Sequence, residues 1–174
     1  MSSASGLEDI LPLTPLQEGL LFHSGLGDGA ADAYNVQVAL DLDGPLDAER
    51  LHRAADALLV RHPHLRSAFR RRRNGQPAAL VGKSVPASWR NTETTEEAVA
   101  ALLEAERAAR FDLAKPPLIR FVLARTGPDR HVLVLTHHHI LLDGWSLPLL
   151  VRDLMRIYAA DAASLPKPAP YRHY

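Results

Sequence analysis

The chain has 174 residues and a mass of 19.1 kDa, the size of one ordinary domain and enough to bury roughly 68–70% of the surface its unfolded form exposes. An apolar share of 47% and a charged share of 23% exclude a largely disordered chain. The balance of 20 basic against 20 acidic residues excludes a strong domain-wide field for nucleic acid or an anionic membrane. With no cysteine, disulfides, thiolate metal sites and a cysteine nucleophile are excluded as well. No basic stretch leading into an apolar run follows Met1, and apolar runs fall far short of the ~20 residues that span a bilayer, so a soluble, cytoplasmic domain is expected.

The first helix signal is Thr14-Pro15-Leu16-Gln17: threonine at the N-cap, proline at the first helical position and glutamine three residues on make a capping box. Leu16, Leu20 and His23 lie on one stripe, with Leu13 as a staple residue, and the glycines of Gly25–Gly29 are expected to stop the helix. Alternation of Tyr34, Val36, Val38, Leu40 and Leu42 predicts a half-buried strand. Asp47 caps a second helix with Leu51, Ala54, Ala55, Leu58 and Leu59 on one face, ended by Pro63. Leu65–Arg71 and Ala78–Val81 read as a hairpin about Asn74-Gly75. Thr94 and Glu97 form a second capping-box pattern, predicting a helix to about Arg110 with Leu102 and Leu103 inward. Leu118–Leu123 and His131–Leu135 are two apolar strands joined at Thr126–Asp129, and Ser146 caps a last helix through Leu149, Leu150, Leu154 and Ile157. Residues 1–163 read as one unit, and the proline-rich 164–174 as an extended exit linker. The order predicts an α/β (α+β) sandwich, a mixed or antiparallel sheet covered by helices.

Chemistry concentrates in Thr136-His137-His138-His139-Ile140-Leu141-Leu142-Asp143-Gly144-Trp145-Ser146, where a strand delivers histidines to a loop that a capped helix follows. Rigid elements on both sides hold an imidazole in place, and an imidazole gives or takes a proton near neutral pH. Asp143 holds either a histidine nitrogen or an arginine, and Gly144 permits a backbone shape or a close substrate approach that a Cβ would block. Consecutive strand residues point to opposite faces, so the three histidines do not converge and no metal site is expected. Arg70-Arg71-Arg72-Arg73, beside the Asn-Gly turn, reads as a solvated sheet edge rather than a nucleic-acid site. Trp145 and Phe22 are expected in the core or along a tunnel wall.

His138-His139-Ile140-Leu141-Leu142-Asp143-Gly144 resembles the His-His-three-residues-Asp-Gly signature of condensation domains from nonribosomal peptide synthetases. Three further stretches are similar to family motifs, in the family's order: Leu11–His23, Arg61–Phe69, and Phe111-Asp112-Leu113 with Pro116–Arg120. The resemblance spans residues 8–160 and implies a chloramphenicol-acetyltransferase-like lobe, the N-terminal one of two. It implies an acyltransferase that joins a donor acyl or peptidyl thioester to an acceptor aminoacyl thioester as an amide. It binds no cofactor directly: 4'-phosphopantetheine arms of donor and acceptor peptidyl carrier proteins deliver the substrates. Its other partners are a C-terminal lobe and an adenylation domain, in antibiotic and other secondary-metabolite synthesis, with neither nucleic acid nor membrane involved. By the same resemblance His139 is the catalytic residue, either as general base or as the group that orients the amine. Gly144 lies beside the reacting centre, His138 supports, and Asp143 pairs with Arg61 or Arg66. Two other readings stand beside this one: a non-catalytic carrier-binding or structural fragment, and a related acyltransferase acting on a small alcohol or amine.

Overall fold

The computed structural model describes residues 6–24, 34–160, 165, 166 and 168. Its larger sheet has four strands in the order β2 (Asn35–Asp43), β7 (Arg130–His138), β6 (Ile119–Gly127) and β5 (Ser88–Glu93); the last pair is parallel and the others antiparallel. The sheet is apolar on both faces because β6 and β7 carry unbroken apolar runs. Ile119, Phe121, Leu123, Leu133 and Leu135 enter the main core with helices α2 (Ala48–Arg61) and α4 (Ser146–Ala160). Val122, Ala124, Val132 and Val134 form a second, smaller core, covered by Val99, Leu102 and Leu103 around helix α3 (Val99–Ala108). A three-stranded antiparallel sheet, β1 (Leu7–Leu11), β4 (Pro77–Gly82) and β3 (Ser67–Arg71), leans on the main core through Ala79 and Phe69. The sandwich is thus of the expected class.

Helix α2 forms as its sequence dictates. Asp47 accepts the Arg50 amide at 2.9 Å as N-cap, and Leu51, Ala54, Ala55, Leu58 and Leu59 are buried along one face. Each leucine so buried contributes about 1.5–3 kcal/mol. Helix α1 (Pro15–Ser24) opens with the predicted capping box, Thr14 N–H donating to Gln17 Oε1 at 3.0 Å and Gln17 N–H to Thr14 Oγ1 at 3.3 Å. The hairpin turn is also as expected, with Gly75 at a φ of 82° that L side chains rarely adopt. Arg70 to Arg73 are exposed at the end of β3 and just past it, Arg70 bonding the Ala114 carbonyl.

Several expectations are corrected. The Thr94–Glu97 box does not cap α3, which starts at Val99 after Ala98 with no side-chain cap, while Glu97 bonds Thr95. Strands β1 and β5 lack the apolar alternation that marks a strand; they pair as outer strands of their sheets. Trp145 and Phe22 are not core residues, being 88% and 56% exposed, and Leu16 stands off the buried stripe at 65%. The predicted helix stop at Gly25–Gly29 and most of the 164–174 linker lie outside the described residues. Among those described, Leu165 packs against the main core and the Pro166 carbonyl accepts from Arg61.

Candidate functional site

The site is built at the end of β7, where it leaves the sheet. The β2–β7 ladder runs in register from Asp43↔Arg130 to Asn35↔His138. One further bond, from the His139 amide to the Tyr34 carbonyl at 2.8 Å, carries the pairing past the last strand residue. The backbone then turns, the Leu141 amide bonding the His138 carbonyl at 3.0 Å, and enters α4 at Ser146.

His139 is half-buried, and its Nδ1 lies 2.8 Å from the Leu142 carbonyl. A carbonyl only accepts, so Nδ1 carries the hydrogen and Nε2 keeps its lone pair. His138 is fully buried; its Nδ1 accepts the Ile140 amide at 3.1 Å, so its hydrogen sits on Nε2, 3.4 Å from Ser24 Oγ. An imidazole already accepting on Nδ1 and donating from Nε2 has no lone pair to spare for a base, and His138 is the support residue the sequence suggests. Its ring lies 6.0 Å from that of Tyr34, at 56°. His137, 1% exposed, bonds the His138 carbonyl through Nδ1. Burial, which outweighs that bond, pushes its imidazole below the ordinary histidine range, with a smaller push from His139.

Asp143 departs from both of its expected roles. Among the described residues it bonds neither a histidine nitrogen nor an arginine: Oδ1 accepts the Ser146 amide at 2.7 Å, and the Ser146 hydroxyl and amide keep its carboxyl below the usual range. Asp143 rather than Ser146 therefore satisfies the start of α4, because an exposed carboxylate beside free helix amides finds its partners there. The two arginines are engaged elsewhere. Arg61 Nε bonds Asp153 Oδ2 at 3.1 Å, an oxygen also reached by His62 Nε2 at 3.1 Å, while Arg152 approaches the other oxygen at 3.3 Å. Arg66 bonds Glu8 at 2.9 Å and the carbonyls of Gly82 and Lys83. The reason is geometric. Arg61 ends the helix that packs on α4, and Asp153 is the buried carboxylate on that helix's inner face. Burial pushes Asp153 up, but the hydrogen bonds from Arg61, His62 and Arg152 leave it below the ordinary carboxyl range.

A Cβ added at Gly144 would meet nothing within 4 Å, and its φ is not in the left-handed region. Its backbone shape does not demand glycine. In the fourth motif, Arg120 stacks over the Phe111 ring at 3.9 Å and pairs with Glu106 at 3.5 Å, a clamp on the end of α3. Two participants do not stand out as site residues in the sequence: Tyr34, which reads as a strand residue, and Gln17, which lies in the first family stretch but reads as a cap. Besides its capping bond, the Gln17 amide donates from Nε2 to the Ile140 carbonyl at 3.1 Å. The capping pattern accounts for Gln17 locally and so conceals its second bond.

The sequence profile described as "Condensation domain" matches residues 7–174. The chain belongs to the condensation-domain family. It is 39% identical over 171 residues to one of the linear gramicidin synthase subunits of Brevibacillus parabrevis, covering 94% of this chain and 3% of that one. Another of those synthase subunits is 36% identical over 185 residues, covering 100% and 2%. Bacitracin synthase 3 of Bacillus licheniformis is 33% identical over 181 residues, covering 98% and 3%. The chain thus spans a few per cent of the length of these relatives. Among solved structures, the first condensation domain of the CDA synthetase superposes with a TM-score of 0.79 at 25% identity, covering 93% of this chain and 43% of that one. The first condensation domain of the calcium-dependent antibiotic synthetase, in complex with a substrate analogue, gives 0.77 at 26%, covering 93% and 40%. The fold is the chloramphenicol-acetyltransferase-like one of that family.

Proposed function

We propose that residues 1–163 form the N-terminal lobe of a condensation domain that makes an amide bond between a donor acyl or peptidyl thioester and an acceptor aminoacyl thioester. The observation that carries this reading is His139: half-buried at the strand-to-helix corner, with Nδ1 spent on the Leu142 carbonyl and the Nε2 lone pair left for chemistry. The acceptor amine attacks the thioester carbonyl carbon, the carbonyl electrons move onto oxygen, and collapse of the tetrahedral species expels the donor thiol. The proton lost by the amine passes through Nε2 if His139 is the base. If the amine arrives neutral, the same lone pair accepts one N–H and aims the attack. Asp143 and His138 act on this step through the loop, and Gly144 is the place where a backbone N–H can meet the developing oxyanion. Arg61 and Arg66 hold helices and sheet together away from the reacting atoms.

The substrates arrive on 4'-phosphopantetheine arms of peptidyl carrier proteins, the remaining wall of the tunnel comes from a C-terminal lobe, and an adenylation domain of the same cytoplasmic assembly line supplies the aminoacyl group. Similarity to linear gramicidin and bacitracin synthases supports this setting. Because the chain covers 43% of a solved condensation domain, the 174-residue chain alone is expected to be inactive, which is where the non-catalytic fragment reading retains force. Turnover by the isolated chain mixed with loaded donor and acceptor carriers would refute that expectation. In the synthetase carrying this segment, His139→Ala should lower amide formation at least about 100-fold with an unchanged thermal melt. Product formation at the parent rate would overturn the proposal.

A further inference from the structure

The backbone around His139 is pinned by four bonds: its own amide to the Tyr34 carbonyl, the Ile140 amide to His138 Nδ1, the Leu141 amide to the His138 carbonyl, and the Ile140 carbonyl to Gln17 Nε2. The first three belong to β7, its turn and its neighbour in space. The fourth comes from α1, 123 residues away in sequence, and it holds the Ile140–Leu141 peptide, the second one after the catalytic histidine. The orientation of the Gln17 amide is set at both ends: Oε1 takes the Thr14 N–H and Nε2 gives to the Ile140 carbonyl. Turning the amide over would face N–H against N–H and carbonyl against carbonyl, so the capping box itself aims the donor at the loop.

We infer that Gln17 is a positioning residue for the condensation reaction, holding the Ile140 peptide so that the His139 imidazole stays in its reactive placement. The inference rests on the proposed condensation function, since that function assigns His139 the chemistry. Gln17 touches no reacting atom. It ties the Ile140–Leu141 peptide to α1, where the turn itself holds that peptide only through the Leu141 amide. A misplacement of about 1 Å at a catalytic group costs on the order of 100-fold in rate, and loss of one neutral hydrogen bond allows part of that.

Gln17→Glu separates the two duties of the side chain: a glutamate oxygen still accepts the Thr14 N–H, but no donor remains for Ile140. Thr14→Ala does the reverse, deleting the hydroxyl that caps α1 and keeping the Gln17–Ile140 bond. In the 174-residue chain, amide hydrogen exchange at residues 139–141 should rise about five- to tenfold for Gln17→Glu and stay at the parent level for Thr14→Ala. In the synthetase, Gln17→Glu should lower kcat by about the same factor with the KM for the donor carrier unchanged. Parent exchange at 139–141 and parent kcat in Gln17→Glu, with His139→Ala inactive, would overturn the assignment of Gln17 alone. Equal loosening of 139–141 in both variants would also overturn it, reducing Gln17 to a helix cap. Activity retained by His139→Ala would sink the condensation function instead, and with it any part for Gln17 in catalysis.

Discussion

Asp153 carries the largest single stability prediction. Its carboxylate is 6% exposed and accepts from Arg61 at 3.1 Å, His62 at 3.1 Å and Arg152 at 3.3 Å. Asp153→Ala would leave the Arg61 guanidinium, whose side chain is 12% exposed, without its counter-charge. Breaking a buried pair from one side costs about 3–5 kcal/mol. Arg61 keeps the Pro166 carbonyl and Arg152 is half in solvent, so the lower end, about 3 kcal/mol, is expected. For a chain of this size that is roughly a 6–12 °C drop in Tm, and a large part of the ~5–15 kcal/mol that holds a domain folded. The assay is a thermal melt of Asp153→Ala, Arg61→Ala and the double variant, with a parallel cycle on Arg61 and Asp143. Coupling of at least about 1 kcal/mol is expected for Arg61 with Asp153 and none for Arg61 with Asp143. A Tm for Asp153→Ala within about 1–2 °C of parent, or coupling that appears in the Asp143 cycle, would refute the Arg61–Asp153 pairing.

Asp143→Ala should cost only about 1 kcal/mol, the value of a lost helix-start bond at an exposed position, read as a small fall in Tm. Gly144→Ala should melt with the parent, since the added methyl meets open space, yet lower condensation if substrate approaches that backbone; a substantial loss of stability would contradict the geometry. Acidification should destabilise the fold. Burial, with a smaller push from His62, lowers the His64 pKa to about 4. The unfolded chain therefore takes up a proton near pH 6.5 that the folded chain refuses until about 4, so stability is complete above pH 6.5 and falls between those values, by up to roughly 3 kcal/mol. His62, also lowered chiefly by burial, acts in the same direction, and Asp153 adds a loss at lower pH as its depressed carboxyl is protonated. His64→Gln should flatten the slope from pH 6.5 to 4; an unchanged slope would exclude His64 as its source.

Local physics made most of the elements readable. The Thr14 box, the Asp47 cap, the apolar face of α2 and the Asn74-Gly75 turn each depend on residues within a few positions of one another, and each forms as its pattern requires. Where a pattern admitted a competitor, it misled: Thr94 and Glu97 satisfy the spacing of a box, but the chain makes a turn at residues 96–98 and Glu97 bonds Thr95 instead. Strands β1 and β5 were illegible because their own residues show no apolar alternation and only pairing with a neighbour makes them strands. Trp145 and Phe22 looked like core because large aromatics usually bury, whereas nothing in either local pattern says that the turn before α4 or the Phe22 side of α1 will face away from the core.

By itself the sequence determined the family, the class of sandwich and the identity of the histidine at the corner, because the His-His-Ile-Leu-Leu-Asp-Gly run, its spacing and its flanking strand and helix are all local facts. Only tertiary structure decided the pairings. Arg61 and Arg66 carry equal charge and either one suits an aspartate on paper; packing of α2 against α4 gives Arg61 to Asp153, and the small sheet gives Arg66 to Glu8. The bond from Gln17 to Ile140 is of the same kind. Charge and hydrogen-bonding capacity are written residue by residue, but a partner is chosen by distance, and distances between segments 58 to 123 residues apart exist only once the chain has folded.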